Sequence, residues 1–332
     1  MVLQICSEKS MGLREKFPLP SPNPSPRMLV VGLGIQGQKR MLSAGSDFAG
    51  SVDPFNRKAE FESISDVSLD KYDGAFICTP DEDKIPVIEY LLKQDKHVIC
   101  EKPLKFVSSN EFEHFSSVYE AHKGVYYTAY NHRFEPSFKA MKALLNSGEL
   151  GEIYTVRFFY GNGTARLVRT SPWRDKGDGV LSDLGSHLLD TTLFFLDNWK
   201  LDFQPIFFNT YENKSPDHVI ISSKSKSPFI EIEMSLCMWK NTFTCDVLAE
   251  RGSAHIVGLC KWGVSQFIHR ERIFPAGIPK EVVTTYPKGD PTWDEEYTFF
   301  KNLVRDDSKP DLKRDFYISE QLQRLNSEMK IG

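Results

Sequence analysis

The chain has 332 residues, of which 40% are hydrophobic and 26% are charged, and its formal net charge is −4. These values are typical of an ordinary globular protein that is large enough to form two domains. The slightly negative charge gives no electrostatic reason to expect nucleic acid or an anionic membrane as a partner, and no apolar run approaches the ~18 residues of a membrane-spanning helix.

The N-terminal segment, residues 1–26, differs from the rest of the chain. Residues 17–26 carry proline at nearly every second position, which favours extended conformations without a hydrogen-bonded ladder. Residues 1–10 lack the sustained apolar core of a secretory signal. We therefore expect residues 1–26 to form a flexible tail or a loosely docked arm, and Met28 is an alternative start of the protein.

The six cysteines, at positions 6, 78, 100, 237, 245 and 260, form no Cys-x-x-Cys pair and no regular framework. Reduced, mostly buried thiols in a cytoplasmic protein explain this pattern most simply. Cys100 lies two residues before a lysine of interest, so a reactive thiol is one interpretation. A small apolar residue on a buried strand is the favoured one.

A glycine-rich turn follows the first apolar run, residues 27–31. Its sequence is Gly32-Leu-Gly34-Ile-Gln-Gly37, and a helix over residues 38–44 is predicted after it. In a dinucleotide-binding turn the first glycine permits the tight turn, the second lets the backbone approach a pyrophosphate, and the third allows close helix packing. The helix amino terminus, with Ile35 and Gln36, would then face the phosphates.

A second strand over residues 48–52 ends on Asp53, which completes the strand–turn–helix–strand–acid order. An acid in this position accepts hydrogen bonds from the adenosine ribose hydroxyls and favours NAD over NADP. Arg40 and Arg57 lie near enough in the sequence that NADP, with its 2′-phosphate, stays open. The combined pattern predicts a dinucleotide-binding domain.

Further strands and helices alternate up to residue 130. A short strand over residues 61–64 leaves little room for a crossover helix, so this part of the nucleotide fold is predicted to be trimmed. The remaining predicted elements are strands at 74–78, 97–101 and 125–130 and helices at 83–94 and 109–122. Alternating strands and helices imply a parallel, doubly wound sheet, hence an α/β fold.

Lys102 ends the predicted strand at residues 97–101 and is followed by Pro103, which stops the pairing. A lysine in that position would project into the crevice at the carboxyl ends of the strands, where open α/β sheets bind ligands. Considered alone, the segment favours an ordinary solvated lysine. The glycine turn upstream and the residues described next reverse that preference.

The second half of the chain is rich in strands joined by turns, which predicts a large, mostly antiparallel sheet. Strands are predicted at residues 153–160, 203–211, 219–223, 229–239, 243–250 and 254–259, with helices at 136–146, 181–196, 293–304 and 318–329.

Asp183 and His187 are four residues apart at the start of the helix predicted at 181–196, and therefore on one face of it. A histidine beside a carboxylate is a suitable general acid/base pair, because the acid can orient the ring and tune its pKa. The alternative is a capping aspartate and a satisfied core histidine. No metal site is predicted, because no third ligand lies nearby in the sequence.

Three arginines, Arg166, Arg169 and Arg174, precede this pair in a segment that also contains Trp173. They form either a solvated surface or a clamp for a carboxylate or phosphate group. The second interpretation makes the substrate anionic.

The chain resembles one family in the order of five motifs. These are the glycine turn, Cys78-Thr79-Pro80, Glu101-Lys102-Pro103, Tyr130-Asn131-His132-Arg133-Phe134 and Asp183-x-x-x-His187. They are similar to those of the glucose-fructose oxidoreductase / inositol dehydrogenase (Gfo/Idh/MocA) family. The resemblance implies a Rossmann domain over residues 27–133, followed by an α/β substrate and oligomerisation domain with a large open-faced sheet over residues 134–332.

The resemblance also implies hydride transfer between NAD and a secondary alcohol or ketone of a sugar, cyclitol or sugar derivative. Lys102, Asp183 and His187 match the family's catalytic positions. Predicted cofactor contacts are Gly32, Gly34, Ile35, Gln36, Gly37, Asp53, Thr79, Pro80, Glu101, Lys102 and Asn131. Predicted substrate contacts are Lys102, Arg133, Arg166, Arg169, Trp173, Arg174, Asp183 and His187.

The same resemblance includes NAD-dependent glycosidases, which oxidise their substrate transiently, and cofactor-binding regulators without activity. The intact catalytic set argues against a regulator. Departures from the family pattern are residues 81–84, where a histidine is often found, Asp178 within a glycine triplet, and the short crossover after Asp53. A cytoplasmic homodimer or homotetramer acting on a small molecule is expected.

Overall fold

The computed structural model describes residues 25–171, 174–198 and 200–329. Nearly all of the segment predicted to be flexible, and Trp173, lie outside the described residues. Within them, no helix combines the length and the apolar character that crossing a membrane requires.

The N-terminal sheet has five parallel strands, as predicted. They are β1 (Met28–Val31), β2 (Phe48–Val52), β3 (Gly74–Ile77), β4 (His97–Glu101) and β5 (Tyr126–Ala129), and their spatial order is β2-β1-β3-β4-β5. β1, β3 and β5 are buried along their whole length, as expected for parallel strands covered on both faces.

Three helices join these strands: α1 (Ile35–Ala44), α2 (Asp81–Leu92) and α3 (Ser109–Ala121). α1 begins at Ile35, three residues earlier than predicted and directly after the second glycine of the turn. α2 begins two residues earlier, where Asp81, Glu82 and Asp83 place negative charge at its amino terminus.

The strand predicted at residues 61–64 is absent from the described chain. Phe61 makes a single bridge to Val52, and two one-turn helices, Ile64–Asp66 and Leu69–Lys71, follow it. The Ser63 N–H donates to the Asp66 carboxylate at 3.1 Å. This local capping interaction competes with strand pairing, which explains why the sheet edge ends here.

The C-terminal sheet has eight strands. They are β6 (Ile153–Gly161), β7 (Phe203–Asn209), β8 (His218–Ser223), β9 (Phe229–Ser235), β10 (Thr242–Ala249), β11 (Gly252–Val257), β12 (Ser265–Glu271) and β13 (Lys280–Tyr286). Their order is β13-β12-β11-β10-β6-β9-β8-β7, and all neighbours are antiparallel except β6 and β9. β12 and β13 were not predicted, because β13 is largely exposed on both faces and gives no alternating apolar pattern.

Five helices belong to the second half: α4 (Pro136–Ser147), α5 (Ala165–Arg169), α6 (Ser186–Leu196), α7 (Thr292–Arg305) and α8 (Lys313–Glu328). α4, α6 and α8 contribute Phe138, Leu188 and Leu322 to the core under one face of the large sheet. The first turn of the helix predicted at 181–196 is a separate π-helical turn, Leu181–Gly185.

α7 and α8 also pack against the N-terminal domain. Tyr297 of α7 packs on Phe76 of β3 with ring centroids 5.1 Å apart, and Phe316 of α8 stacks on Phe112 of α3 at 4.1 Å. The C-terminal residues therefore cover both faces of a sheet whose contacting residues lie more than 200 positions earlier in the chain.

Candidate active site

Lys102 lies at the carboxyl end of β4 and points toward the second domain rather than into solvent. Its Nζ donates to the Asp183 carbonyl oxygen at 2.6 Å and to Asp183 Oδ1 at 3.2 Å, and 15% of its side chain is exposed. The lysine and the aspartate are 81 residues apart in the sequence. The fold therefore brings together two of the three residues predicted to be catalytic.

Asp183 is held by the π-helical turn and by the loop before it. Gly179 has a φ of +49°, and a Cβ at this position would lie 2.2 Å from the Pro216 carbonyl oxygen, so only glycine fits. Arg174 donates to Asp183 Oδ2 at 3.2 Å. Partial burial alone would raise the pKa of Asp183, but Lys102 and Arg174 outweigh it and hold that pKa below its usual range. The carboxylate is therefore ionised.

His187 lies in the first turn of α6 and is 9% exposed. Its ring stacks on the His132 ring with centroids 4.1 Å apart and an interplanar angle of 17°. Within the described chain no hydrogen bond joins it to Asp183, and its Nδ1 is buried without a partner. The wider π-helical turn changes the spacing on which a same-face Asp183–His187 pair depends.

Three further residues, His132, Tyr160 and Lys261, complete the cluster, and none of them was among the predicted site residues. Lys261 Nζ lies 3.2 Å from His132 Nε2 and donates to the Tyr160 hydroxyl at 3.4 Å, and the Tyr160 ring centroid is 6.3 Å from that of His187. His132 belongs to a motif that could have indicated its position. Lys261 lies in the turn between β11 and β12 and carries no such signal.

Both stacked histidines are neutral near pH 7. Burial lowers the pKa of His187 well below its ordinary value, and His132, Lys102 and Lys261 lower it further. Burial, Lys261 and Lys102 act in the same direction on the pKa of His132. A neutral imidazole next to a cationic lysine can accept a proton from a substrate hydroxyl.

The same shifts predict that acid destabilises the protein. Below about pH 6.5 the unfolded chain binds protons at His132 and His187 that the folded chain does not, so the free energy of unfolding falls as the pH falls. The limiting slope is about 1.4 kcal/mol per pH unit for each histidine. Urea unfolding between pH 7.5 and 5.5 measures it. The double variant His132→Gln/His187→Gln should have a shallower slope, and an unchanged slope would contradict the assignment.

The glycine turn has the shape that a pyrophosphate requires. A Cβ on Gly37 would lie 1.9 Å from the Gly32 carbonyl oxygen, which shows how closely α1 packs on the turn. A Cβ on Gly34 would meet nothing within 4 Å, and Ile35 and Gln36 are exposed beside it. No side chain caps the amino terminus of α1. Its first N–H groups are therefore suited to bind phosphate oxygens.

The two glycines should respond differently to alanine. Gly37→Ala is expected to lower the free energy of unfolding by about 1–3 kcal/mol, because its methyl group overlaps the turn. Gly34→Ala should change it by less than about 1 kcal/mol yet weaken NAD binding, because the methyl group enters the space where the phosphates would lie. Thermal unfolding and calorimetric titration with NAD separate the effects. Equal NAD affinity in Gly34→Ala and the parent would be inconsistent with this site.

Two other predicted cofactor contacts, Asp53 and Thr79, lie beside this turn, whereas Asn131 follows β5 at the far edge of the sheet. Asp53 accepts the Leu33 N–H at 2.7 Å, so its carboxylate is fixed beside the glycines. The Thr79 hydroxyl is buried without a partner at the start of α2, where exposed Pro80 precedes the helix. Asn131 donates to the Thr292 hydroxyl at 2.8 Å and thus joins the region after β5 to α7.

Arg40 is not available for a 2′-phosphate. It is 1% exposed and pairs with Glu101 at 2.6 Å and with Glu296 of α7 at 2.8 Å. Burial raises the pKa of Glu296 to about 7, although Arg40 opposes the shift. Arg57, in contrast, is exposed after Asp53 and stays compatible with NADP.

Of the four arginines predicted to contact substrate, three bond residues outside the candidate catalytic set and one bonds Asp183. Arg166 is largely exposed, and both it and Arg169 bond Glu212, so the structure does not bring them to Lys102. Arg133 pairs with Asp190, which Arg314 also bonds. Only Arg174 contacts the candidate catalytic residues, through its bond to Asp183.

Two departures from the family pattern meet at one ion-pair group. Lys105 Nζ lies 3.1 Å from Asp178, the residue that interrupts the glycine triplet, and 3.4 Å from Asp81. Lys84, which follows in α2, is buried and donates to Asp81 at 2.7 Å and to the Pro103 carbonyl at 2.8 Å. This network joins the loop before Asp183 to the start of α2.

Cys100 is fully buried on β4, and burial raises the pKa of its thiol to about 12. A protonated thiol is a poor nucleophile, which favours the interpretation as a small apolar residue. Among the described residues, no three histidine, cysteine or acidic side chains are grouped closely enough to hold a metal ion.

Comparison with curated proteins finds dehydrogenases. The chain is 29% identical over 161 residues to the D-xylose 1-dehydrogenase (NADP⁺) of Haloarcula marismortui, covering 46% of this chain and 44% of the relative. It is 26% identical over 143 residues to the glucose-6-phosphate 3-dehydrogenase of Bacillus subtilis, covering 42% and 40%, and 22% identical over 250 residues to the inositol 2-dehydrogenase of Serratia proteamaculans, covering 68% and 72%. The chain thus spans less than half the length of the first two.

Solved structures share the fold. A levoglucosan dehydrogenase in complex with NADH matches with a TM-score of 0.72 and 17% identity, covering 91% of this chain and 96% of that one. The scyllo-inositol dehydrogenase of Lactobacillus casei matches with a TM-score of 0.72 and 16% identity, covering 92% and 96%.

Two family profiles match consecutive parts of the chain. Residues 26–130 match the oxidoreductase family with an NAD-binding Rossmann fold, and residues 138–255 match the Gfo/Idh/MocA C-terminal domain. Together they cover most of the chain and agree with both sheets. The predicted family, fold class and cofactor class are confirmed, and the chain belongs to the Gfo/Idh/MocA family of oxidoreductases.

Proposed function

We propose that this protein is an NAD(P)-dependent dehydrogenase that transfers hydride between the nicotinamide and a secondary alcohol or ketone of a sugar or cyclitol. The observation that carries the proposal is the bonding of Lys102 to Asp183 beside the buried, neutral His187. The named relatives act on sugars and cyclitols, which supports this substrate class.

The cofactor, when bound, supplies the acceptor or donor of the hydride. The glycine turn and the amino terminus of α1 would hold its pyrophosphate, and Asp53 its adenosine ribose. The cofactor's phosphates would then lie at the carboxyl edge of the same sheet from which Lys102 extends.

Lys102 and His187 then have different roles at the substrate oxygen. The Lys102 ammonium donates a hydrogen bond to that oxygen and stabilises the negative charge that develops on it. Neutral His187 removes the hydroxyl proton during oxidation and returns it during reduction. Asp183 orients the lysine through its carbonyl and carboxylate oxygens, and Arg174 fixes the other carboxylate oxygen.

A substrate panel tests the proposal. Purified protein is incubated with sugars, cyclitols, sugar acids, sugar phosphates and nucleotide sugars, each with NAD or NADP, and the absorbance of the reduced cofactor is followed. We expect at least one class to reduce the cofactor. Release of sugar from glycosides without accumulation of reduced cofactor would instead support the glycosidase. The expected homodimer or homotetramer and the cytoplasmic location stay predictions.

A further inference from the structure

Lys261 differs from the other lysines of the candidate active site in its surroundings. Lys84, Lys102 and Lys105 each pair with an aspartate at 3.4 Å or less. Among the described residues, no carboxylate lies within ion-pair distance of Lys261. Its partners are the His132 ring nitrogen and the Tyr160 hydroxyl.

The hydrogen bonds of Lys261 leave donors free. An ammonium group has three protons and no acceptor, so Lys261 donates to His132 Nε2 and to the Tyr160 oxygen and keeps one N–H. Because the Tyr160 oxygen accepts from the lysine, its own proton stays available for another acceptor. Two donors, one of them cationic, therefore lie together.

The local fold fixes these donors near His187. Tyr160 is 4% exposed on β6, and the Trp262 ring packs 5.7 Å from it. Lys261 Nζ lies 5.0 Å from the centroid of the Trp262 ring. His132, which accepts the hydrogen bond from Lys261, stacks directly on His187. The packed aromatic surroundings indicate a preformed binding subsite rather than an ordinary surface lysine.

The charge balance of the site indicates what this subsite binds. Asp183 neutralises positive charge from Lys102 and Arg174, and Asp178 pairs with Lys105. Burial lowers the pKa of Lys261, while the more distant Asp290, Glu135 and Asp183 act against the shift. Among the described residues, no protein carboxylate within ion-pair distance neutralises the positive charge of Lys261. An anion bound next to Lys261 would neutralise that charge.

We propose that Lys261 and Tyr160 bind an anionic substituent, a carboxylate or a phosphate, on the sugar or cyclitol that His187 deprotonates. This inference rests on the proposed function and names the substrate class more narrowly. It assigns anion binding to Lys261, whereas Arg166 and Arg169 are engaged with Glu212.

The test compares Lys261→Met with the parent protein on matched substrates. Neutral sugars and cyclitols, the corresponding sugar acids and the corresponding sugar phosphates are assayed with NAD. We expect Lys261→Met to raise KM about 10- to 100-fold for the acid or the phosphate, because a charge-assisted hydrogen bond is lost, and to change the KM of a neutral substrate less than about 3-fold. Whichever anionic class responds identifies the substituent.

Tyr160→Phe is the second variant, because it keeps the aromatic ring and removes only the hydroxyl. It should raise KM for the same anionic class by a smaller factor of about 3- to 10-fold. Exposed Lys240→Met controls for the loss of a positive charge and should leave every KM unchanged.

Equal increases of KM for anionic and neutral substrates, or none in either variant, would overturn the anion subsite and leave the proposed function intact. Turnover of neutral substrates alone would have the same consequence. Failure of the parent protein to reduce the cofactor with any substrate would overturn the proposed function and this inference with it.

Discussion

Replacing Lys102 by methionine is expected to lower kcat about 100- to 1,000-fold while the affinity for NAD stays within about 3-fold. The methionine side chain approaches lysine in length but cannot donate a hydrogen bond to the substrate oxygen. Charge that develops on that oxygen would then lack its nearest donor. Steady-state kinetics on the best substrate of the panel, together with calorimetric titration of NAD, measure the two quantities.

Lys105→Met is the matched control for this substitution. Lys105 lies three residues further along the same loop and is also paired with an aspartate, but it bonds Asp178 rather than Asp183. If the site needed only positive charge at the end of β4, both variants would lose activity alike. We expect Lys105→Met to keep most of the turnover. Parent-like turnover in Lys102→Met would remove this lysine from the mechanism.

Much of the nucleotide-binding half could be predicted from local sequence. The glycine turn and the alternation of apolar strands with helices depend on interactions between residues close in the chain, so they leave a readable pattern. The end of β4 at Glu101, directly before Lys102, is readable for the same reason. The packing of α7 and α8 against this sheet is not, because contacts such as Tyr297 with Phe76 join residues more than 200 positions apart.

The second half was less predictable where strands and helices depart from regular patterns. β13 is exposed on both faces and therefore lacks the alternation by which a half-buried strand is identified. The π-helical turn before α6 has no signature in residue type, and Asp183 within it bonds Lys102 rather than His187. Lys261 could be found only from the structure, because its role depends on His132, which is 129 residues away.

Replacing His187 by glutamine is the second change with a large expected effect. General acid/base catalysis contributes about 100- to 10,000-fold, and we expect kcat for oxidation to fall within that range because glutamine cannot accept the proton. The pH dependence gives the more specific result. Because burial holds the pKa of His187 well below its ordinary value, the parent enzyme should keep its oxidation rate as the pH falls through about 6.5.

The direction of that profile follows from the protonation state that oxidation needs. A histidine with an ordinary pKa would be half protonated near pH 6.5 and the oxidation rate would already have fallen, whereas His187 stays neutral to lower pH. His132→Gln is the control, because it removes the stacked ring but not the group that receives the proton, and its loss of kcat should be smaller. A decline of the parent rate centred at about pH 6.5 that also persists in His187→Gln would assign the proton transfer to another group.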